Sequence, residues 1–389
     1  MRTYVILASL LLSLTTPALA DTTMPFQMID NRIVVQASID GVPGFSMIVD
    51  TGANGMTITP EVAQRLHIAE HSGGTVGGAG AGRLAFYNAK LRDVALENLH
   101  LGHQDTIVGD LGPIQRGIGF PHLDGIIGYD TIGSGFLQID VDRGVLTISP
   151  NRIVAPAGAH QVSFTTPDGL LHLRVAINGK PGTVILDTGD RWSFTVFEKF
   201  GRRNGFYDVT PSVHNALTGF GVGGPIHGNV FLASIGAFGF TIPNVVTRAP
   251  LGKEGIFSAS TELGSLGNGL LSRFNSIFDG KHHTLTVWPN SLFSEVERYD
   301  PLGMWIAQGS NGPVIADITP GGAAERSGLL AGETILSING RSTAEWSIPD
   351  IRTWLLQQQN GSSISLELQS PGGARTTRTA TLDDPLSVQ

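Results

Sequence analysis

The sequence predicts a mostly β protein built of two repeated lobes, followed by a smaller third module. Three observations predict it. Glycine supplies 51 of 389 residues, roughly twice the average share, while charged residues are 15% against an average of about 25%. A strand-and-turn motif occurs twice, its two aspartates 187 − 50 = 137 residues apart. Beyond Pro301 the texture changes again. Abundant glycine without a collagen period points to short strands and tight turns, and excludes a coiled coil or helical bundle.

The N-terminus reads as an export signal. Met1-Arg2 is a short basic start, Tyr4 to Leu14 is apolar and uncharged, and Ala18-Leu19-Ala20 is a small-x-small cleavage pattern. Removal of residues 1–20 is expected, with the product exported to a periplasm or secreted. An apolar run of this length is too short to span a bilayer, and no later segment is long enough, so no stable membrane span is expected. The chain has no cysteine, which excludes disulfide frameworks, thiolate zinc sites and a thiol nucleophile. A net charge of -8 argues against nucleic acid or an anionic membrane surface as partner.

The repeat carries the organisation. Ile39 to Gly52 reads IDGVPGFSMIVDTG and Ile177 to Gly189 reads INGKPGTVILDTG. Each is a polar turn, then an apolar strand, then Asp-Thr-Gly. Further on, Asp124-Gly-Ile-Ile-Gly128 has a counterpart in Leu263-Gly-Ser-Leu-Gly267. Each half then ends in a Leu-Thr-aliphatic strand, at Leu146 and Leu285. The expected lobes are residues 21–155 and 156–292. Phe45 to Val49 and Thr183 to Leu186 read as strands. A short helix is expected to start at Thr59-Pro60-Glu61.

Two Asp-Thr-Gly loops brought together supply a definite chemistry. Carboxyls within hydrogen-bond reach share one proton, giving one general base and one general acid near the same pH. The base can deprotonate a water while the acid protonates a peptide carbonyl. Gly52 and Gly189 allow close approach without a Cβ clash, and the Thr51 and Thr188 hydroxyls can bond across to the opposite loop. One such tripeptide alone is an ordinary turn after a strand; the doubling makes it specific.

These paired motifs resemble the pepsin-like and retropepsin-like aspartic proteases over about residues 30–290. The resemblance implies a bilobal acid-protease fold, with Asp50 and Asp187 as catalytic dyad and Thr51, Gly52, Thr188 and Gly189 as its support. Ile126-Ile127-Gly128 matches the family's aliphatic run behind the first loop, and Ser265-Leu266-Gly267 matches in part. Asp190 stands where the family usually has Ala or Ser; it is expected either to raise the pKa of Asp187 or to face solvent. The family's flap corresponds to the glycine-rich run 73–82, with Gly74, Thr75, Val76, Gly77 and Gly78 over the substrate. Pepsins place a tyrosine there, and this run has none. A second glycine-rich run, 218–224, lies at a similar remove in the other lobe.

From residue 300 to 385 the chain resembles a PDZ domain of the bacterial envelope type, a small β-barrel with two helices. The resemblance rests on Thr319-Pro320-Gly321-Gly322, the small-residue run through Gly328, and Ile335-Leu-Ser-Ile-Asn-Gly340. A helix is expected over Pro349 to Gln358, after Ser347. The family binds a peptide or protein C-terminus by strand addition, which implies roles for Leu302, Gly303 and Met304 as the carboxylate-holding loop and for Ile351 and Leu355 on the helix.

The reading is an exported aspartic endopeptidase acting on polypeptide, with no cofactor and no metal, and with the PDZ domain recruiting or sensing chains. The histidine pairs lack a completing carboxylate set, and neither HExxH nor G-x-S-x-G occurs. The rival reading is a non-catalytic peptide-binding protein whose working part is the PDZ domain.

Overall fold

The structure is a computed structural model describing residues 21–386 except 211, 253 and 254; the export signal therefore lies outside the described residues. Strand is by far the commonest regular structure among the described residues, as the composition implies. The apolar runs before each Asp-Thr-Gly become the strands Val42–Asp50 and Lys180–Asp187. Their apolar ends, Phe45 to Val49 and Val184 to Leu186, are buried on two faces, which suits their continuous apolar sequence.

In each lobe one of two parallel pairings carries the Asp-Thr-Gly strand. In the first, Gly125–Gly128 runs beside Val42–Asp50 with Gly128 opposite Asp50. In the second, Gly264–Gly267 runs beside Lys180–Asp187 with Gly267 opposite Asp187. The repeat seen in the sequence is thus a repeat of register, and it sets both aspartates at the same point of equivalent sheets. The helix expected at Thr59 is Pro60–Arg65, capped by the Thr59 hydroxyl, which accepts from the Val62 N–H.

A six-stranded antiparallel sheet joins the lobes. Its order is Thr22–Pro25, Val145–Ser149, Phe136–Asp140, Phe274–Asp279, Thr284–Pro289, His160–Ser163. The Leu-Thr-aliphatic segments of the two halves take matching places in it, and the central pair crosses from one lobe to the other, Phe136 opposite Asp279. One apolar core runs through both lobes, including Phe45 and Phe231.

The C-terminal module has its own sheet, ordered Met304–Gly309, Gly312–Ile318, Thr334–Ile338, Ser363–Gln369, Arg375–Thr381, and its own core around Leu302, Ile315, Ile351 and Leu366. The helix expected there is Ile348–Gln357, with Ser347 accepting from the Asp350 N–H at its start. The module rests on the first lobe: the helix Gly112–Ile118 packs on Met304–Gly309. At the end of that helix Gly119 makes room for Ile348, whose Cβ would lie 2.4 Å from any side chain built there. Among the described residues no helix is long and apolar enough to cross a membrane.

Candidate active site

The two Asp-Thr-Gly loops meet face to face. The Thr51 N–H donates to the Thr188 hydroxyl oxygen and the Thr188 N–H to that of Thr51, both at 3.0 Å. Each hydroxyl then donates onward across the interface, Thr51 to the Leu186 carbonyl (2.8 Å) and Thr188 to the Val49 carbonyl (2.7 Å). Both threonines are buried, so every donor and acceptor in this crossed pair is satisfied without water. The glycines work as the spacing implied. A Cβ on Gly52 would sit 2.4 Å from the Asp187 Cγ, and one on Gly189 would sit 2.4 Å from the Asp50 Cγ.

Asp50 and Asp187 are hydrogen-bonded to each other and face a cavity of about 420 Å³. Burial raises both carboxyls, but their neighbours differ. At Asp50 the Gly52 N–H, 2.8 Å from Oδ1, and the positive charge of Arg32 pull the other way. At Asp187 the charges of Asp50 and Asp190 add to burial and hold it well above the usual carboxylate range, against the Asp190 N–H donating to Oδ1 at 2.8 Å. Both carboxyls are thus raised as a pair close enough to share one proton, Asp187 the more strongly of the two.

Asp190 does not face solvent. It is buried and receives Arg248 Nη2 (3.0 Å), the Thr195 hydroxyl (2.7 Å), the Ser265 hydroxyl (3.1 Å) and the Trp192 N–H (3.1 Å). Despite the burial that opposes it, the Arg248 charge and these donors keep its carboxyl below the usual range. The two departures from the family pattern, Asp190 and Ser265, are thus partners: the hydroxyl at 265 bonds the carboxylate at 190. Of the two outcomes expected for Asp190, raising the pKa of Asp187 is the one its surroundings produce.

The roof is a hairpin of Gly73–Gly77 and Arg83–Leu91. Its tip meets the glycine-rich turn of the second lobe, with the Gly80 N–H donating to the Val222 carbonyl and the Gly82 N–H to that of Gly223, both at 2.8 Å. Val76, Gly77 and Gly78 line the cavity with Phe220 and Val222. Gly74 and Thr75 do not reach it. They lie in the hairpin stem, where Thr75 accepts from Arg83, so the covering stretch starts two residues later than the sequence suggested.

In the C-terminal module Leu302, Met304, Ile351 and Leu355 are buried. Met304 and Leu355 line a cavity of about 550 Å³ between the edge strand and the helix, walled on its far side by Trp192, Leu292 and residues 295–299. The loop expected to hold a foreign carboxylate is already engaged. The Leu302 and Met304 N–H groups donate to Asp300 at 2.9 Å, and Gly303 donates to it too. Sequence reasoning also passed over Asp30, Arg32, Arg248 and Arg352; Asp30 and Arg32 pair locally, but their other partners lie far away along the chain.

The family described as "Aspartyl protease" matches residues 35–131, and a PDZ domain model matches residues 314–370. The first match ends before Asp187, so the second lobe's part rests on the register and contacts above. No curated protein matches the chain. Among solved structures, the aspartic proteinase from Irpex lacteus is similar at 16% identity, covering 71% of this chain and 99% of that one, with a TM-score of 0.45. By the two family matches the chain carries an aspartyl protease domain towards its N-terminus and a PDZ domain at its C-terminus.

Proposed function

We propose that the chain is an exported aspartic endopeptidase in which Asp50 is the general base and Asp187 the general acid. The observation that carries this reading is the pair of hydrogen-bonded carboxyls on the floor of a roofed cavity, with unequal neighbours. Asp50 takes a proton from a water held between the two. The water oxygen adds to the peptide carbonyl carbon while Asp187 gives its proton to the carbonyl oxygen. Collapse of the resulting diol, with a proton delivered to the leaving nitrogen, breaks the C–N bond and restores the starting protonation. The substrate is an extended chain, since the cavity lies between two glycine-rich turns whose backbone groups are free to pair with it once the tips part.

The PDZ domain recruits or senses polypeptide beside the edge strand Met304–Gly309. With Asp300 occupying the loop amides, a free chain end competes with that side chain for the same donors. Cleavage of a denatured, fluorescence-quenched protein from acidic to neutral pH, wild type against Asp50→Asn, tests the reading. Loss of cleavage in the variant supports it, and equal cleavage by both proteins contradicts it.

A further inference from the structure

The PDZ domain is fastened to the protease body at one buried carboxylate. Asp30 lies in the turn between Gln27–Ile29 and Arg32–Ile39, its side chain 2% exposed. Three guanidinium groups converge on it: Arg32 Nη1 at 2.7 Å, Arg191 Nε at 3.0 Å and Arg352 Nη1 at 2.9 Å. Two of these arms belong to the catalytic floor. Arg32 Nε continues to the Gly189 carbonyl at 2.8 Å, and Arg191 follows Asp190 directly; its own carbonyl accepts from Asn31 at 2.9 Å. The third arm comes from the PDZ helix Ile348–Gln357.

Arg352 does more than balance charge. Its Nη2 also donates to the Gly117 carbonyl (2.6 Å) and to the Ile306 carbonyl on the PDZ edge strand, and its guanidinium lies 4.3 Å over the Trp305 ring. Trp305 in turn donates to Gly117 at 3.1 Å. One side chain therefore ties the PDZ helix, the PDZ edge strand, the helix Gly112–Ile118 and the Asp30 turn together. Burial lowers its pKa to about 10, which still leaves it charged at neutral pH.

We infer that Arg352 is a positioning residue for the second catalytic loop: by binding Asp30 it fixes the turn whose Arg32 and Asn31 hold Gly189 and Arg191, and so sets Asp187 against Asp50. The inference rests on the proposed peptidase chemistry. It makes the PDZ domain a working part of the protease body as well as a peptide module. Asp300 in the loop amides agrees with this, because contacts that a captured peptide end would make at that place are made within the chain.

The test uses the full chain and the quenched, denatured protein substrate, comparing wild type with Arg352→Ala and with the neutral, similarly shaped Arg352→Gln. Misplacing a catalytic group by about an ångström costs up to about 100-fold in rate, so kcat is expected to fall about 10- to 100-fold with KM changed less than about two-fold. The acidic limb of the kcat profile is expected to move, since it reports Asp50 and Asp187 in the field of Asp190, Arg32 and Arg248. Either variant, folded by its melting transition and showing wild-type kcat and pH profile, overturns the inference. Should wild type itself cleave nothing, the peptidase reading fails. Carbon-13 NMR titration of the Asp50 and Asp187 carboxyls in wild type and Arg352→Gln then decides the inference separately. Displaced curves support it and superimposable curves overturn it.

Discussion

The two Asp-Thr-Gly loops share a tripeptide and a register, yet they are not chemically equivalent. After the first Asp-Thr-Gly comes Ala53, and Ile126 holds the place equivalent to Ser265; after the second comes Asp190, bonded by Ser265 and paired with Arg248. Asp50 feels the cation Arg32 ahead of the anion Asp190, whereas both charges that act on Asp187, Asp50 and then Asp190, are anions. The backbone supplies the symmetry and the neighbouring charges remove it. In this account the residues that break the repeat assign the proton to Asp187.

The largest expected effect is on catalysis. Asp50→Asn and Asp187→Asn should each lower kcat by about 10²–10⁴-fold or more, measured on the denatured substrate. Their effects on stability should share a sign and differ in size, the larger at Asp187. The Asp187 carboxyl is raised in the fold, so its stabilising share is complete below the ordinary value of 3.8 and is lost as pH rises through its folded value. Melting temperatures across pH should therefore show Asp187→Asn gaining on wild type as pH rises towards neutrality. Parallel curves would break the comparison between the loops.

Next comes the buried ion pair. Asp190→Ala leaves Arg248 without its counter-ion and should cost about 3–5 kcal/mol in denaturant unfolding. Removing both partners, as Asp190→Ala with Arg248→Met, should cost less than that single change. The pH sign is opposite to that of the dyad. Asp190 is held below the ordinary value, so its contribution is present above 3.8 and is lost as pH falls through its folded value.

Gly52→Ala and Gly189→Ala should each destabilise by about 1–3 kcal/mol through overpacking, with activity lost because the new methyl collides with the opposite carboxyl. The smallest effect is Ser265→Ala. It removes one of four donors to Asp190 and should cost about 1 kcal/mol, while moving the dyad's titration slightly. No change in either quantity would separate Ser265 from the proton assignment.

Much of this was legible in the sequence because it is local or repeated. The apolar runs ending at Asp50 and Asp187, the closing glycines at 128 and 267, and the caps at Thr59 and Ser347 each announce a strand, a register or a helix start. The crossed threonines followed from the tripeptide itself. What sequence could not place were charges paired across the fold. Arg248 is 58 residues from Asp190, and Arg352 is 322 residues from Asp30; no periodicity links them. A carboxylate directly after Asp-Thr-Gly left two outcomes open, a raised Asp187 or exposure to solvent, and nothing local named Arg248 as its partner. The occupied PDZ loop had a nearer clue. Asp300 stands two residues before Leu302, a spacing at which an Asp side chain readily accepts from following backbone amides.

The central claim is that one shared proton sits on Asp187 with Asp50 as base. Carbon-13 titration of the two carboxyls in the full wild-type chain measures it most directly. The account predicts a coupled pair in which Asp187 stays protonated well above the ordinary carboxylate range while Asp50 ionises first. Independent titration of both groups near their ordinary value, or retention of the proton on Asp50, would contradict it.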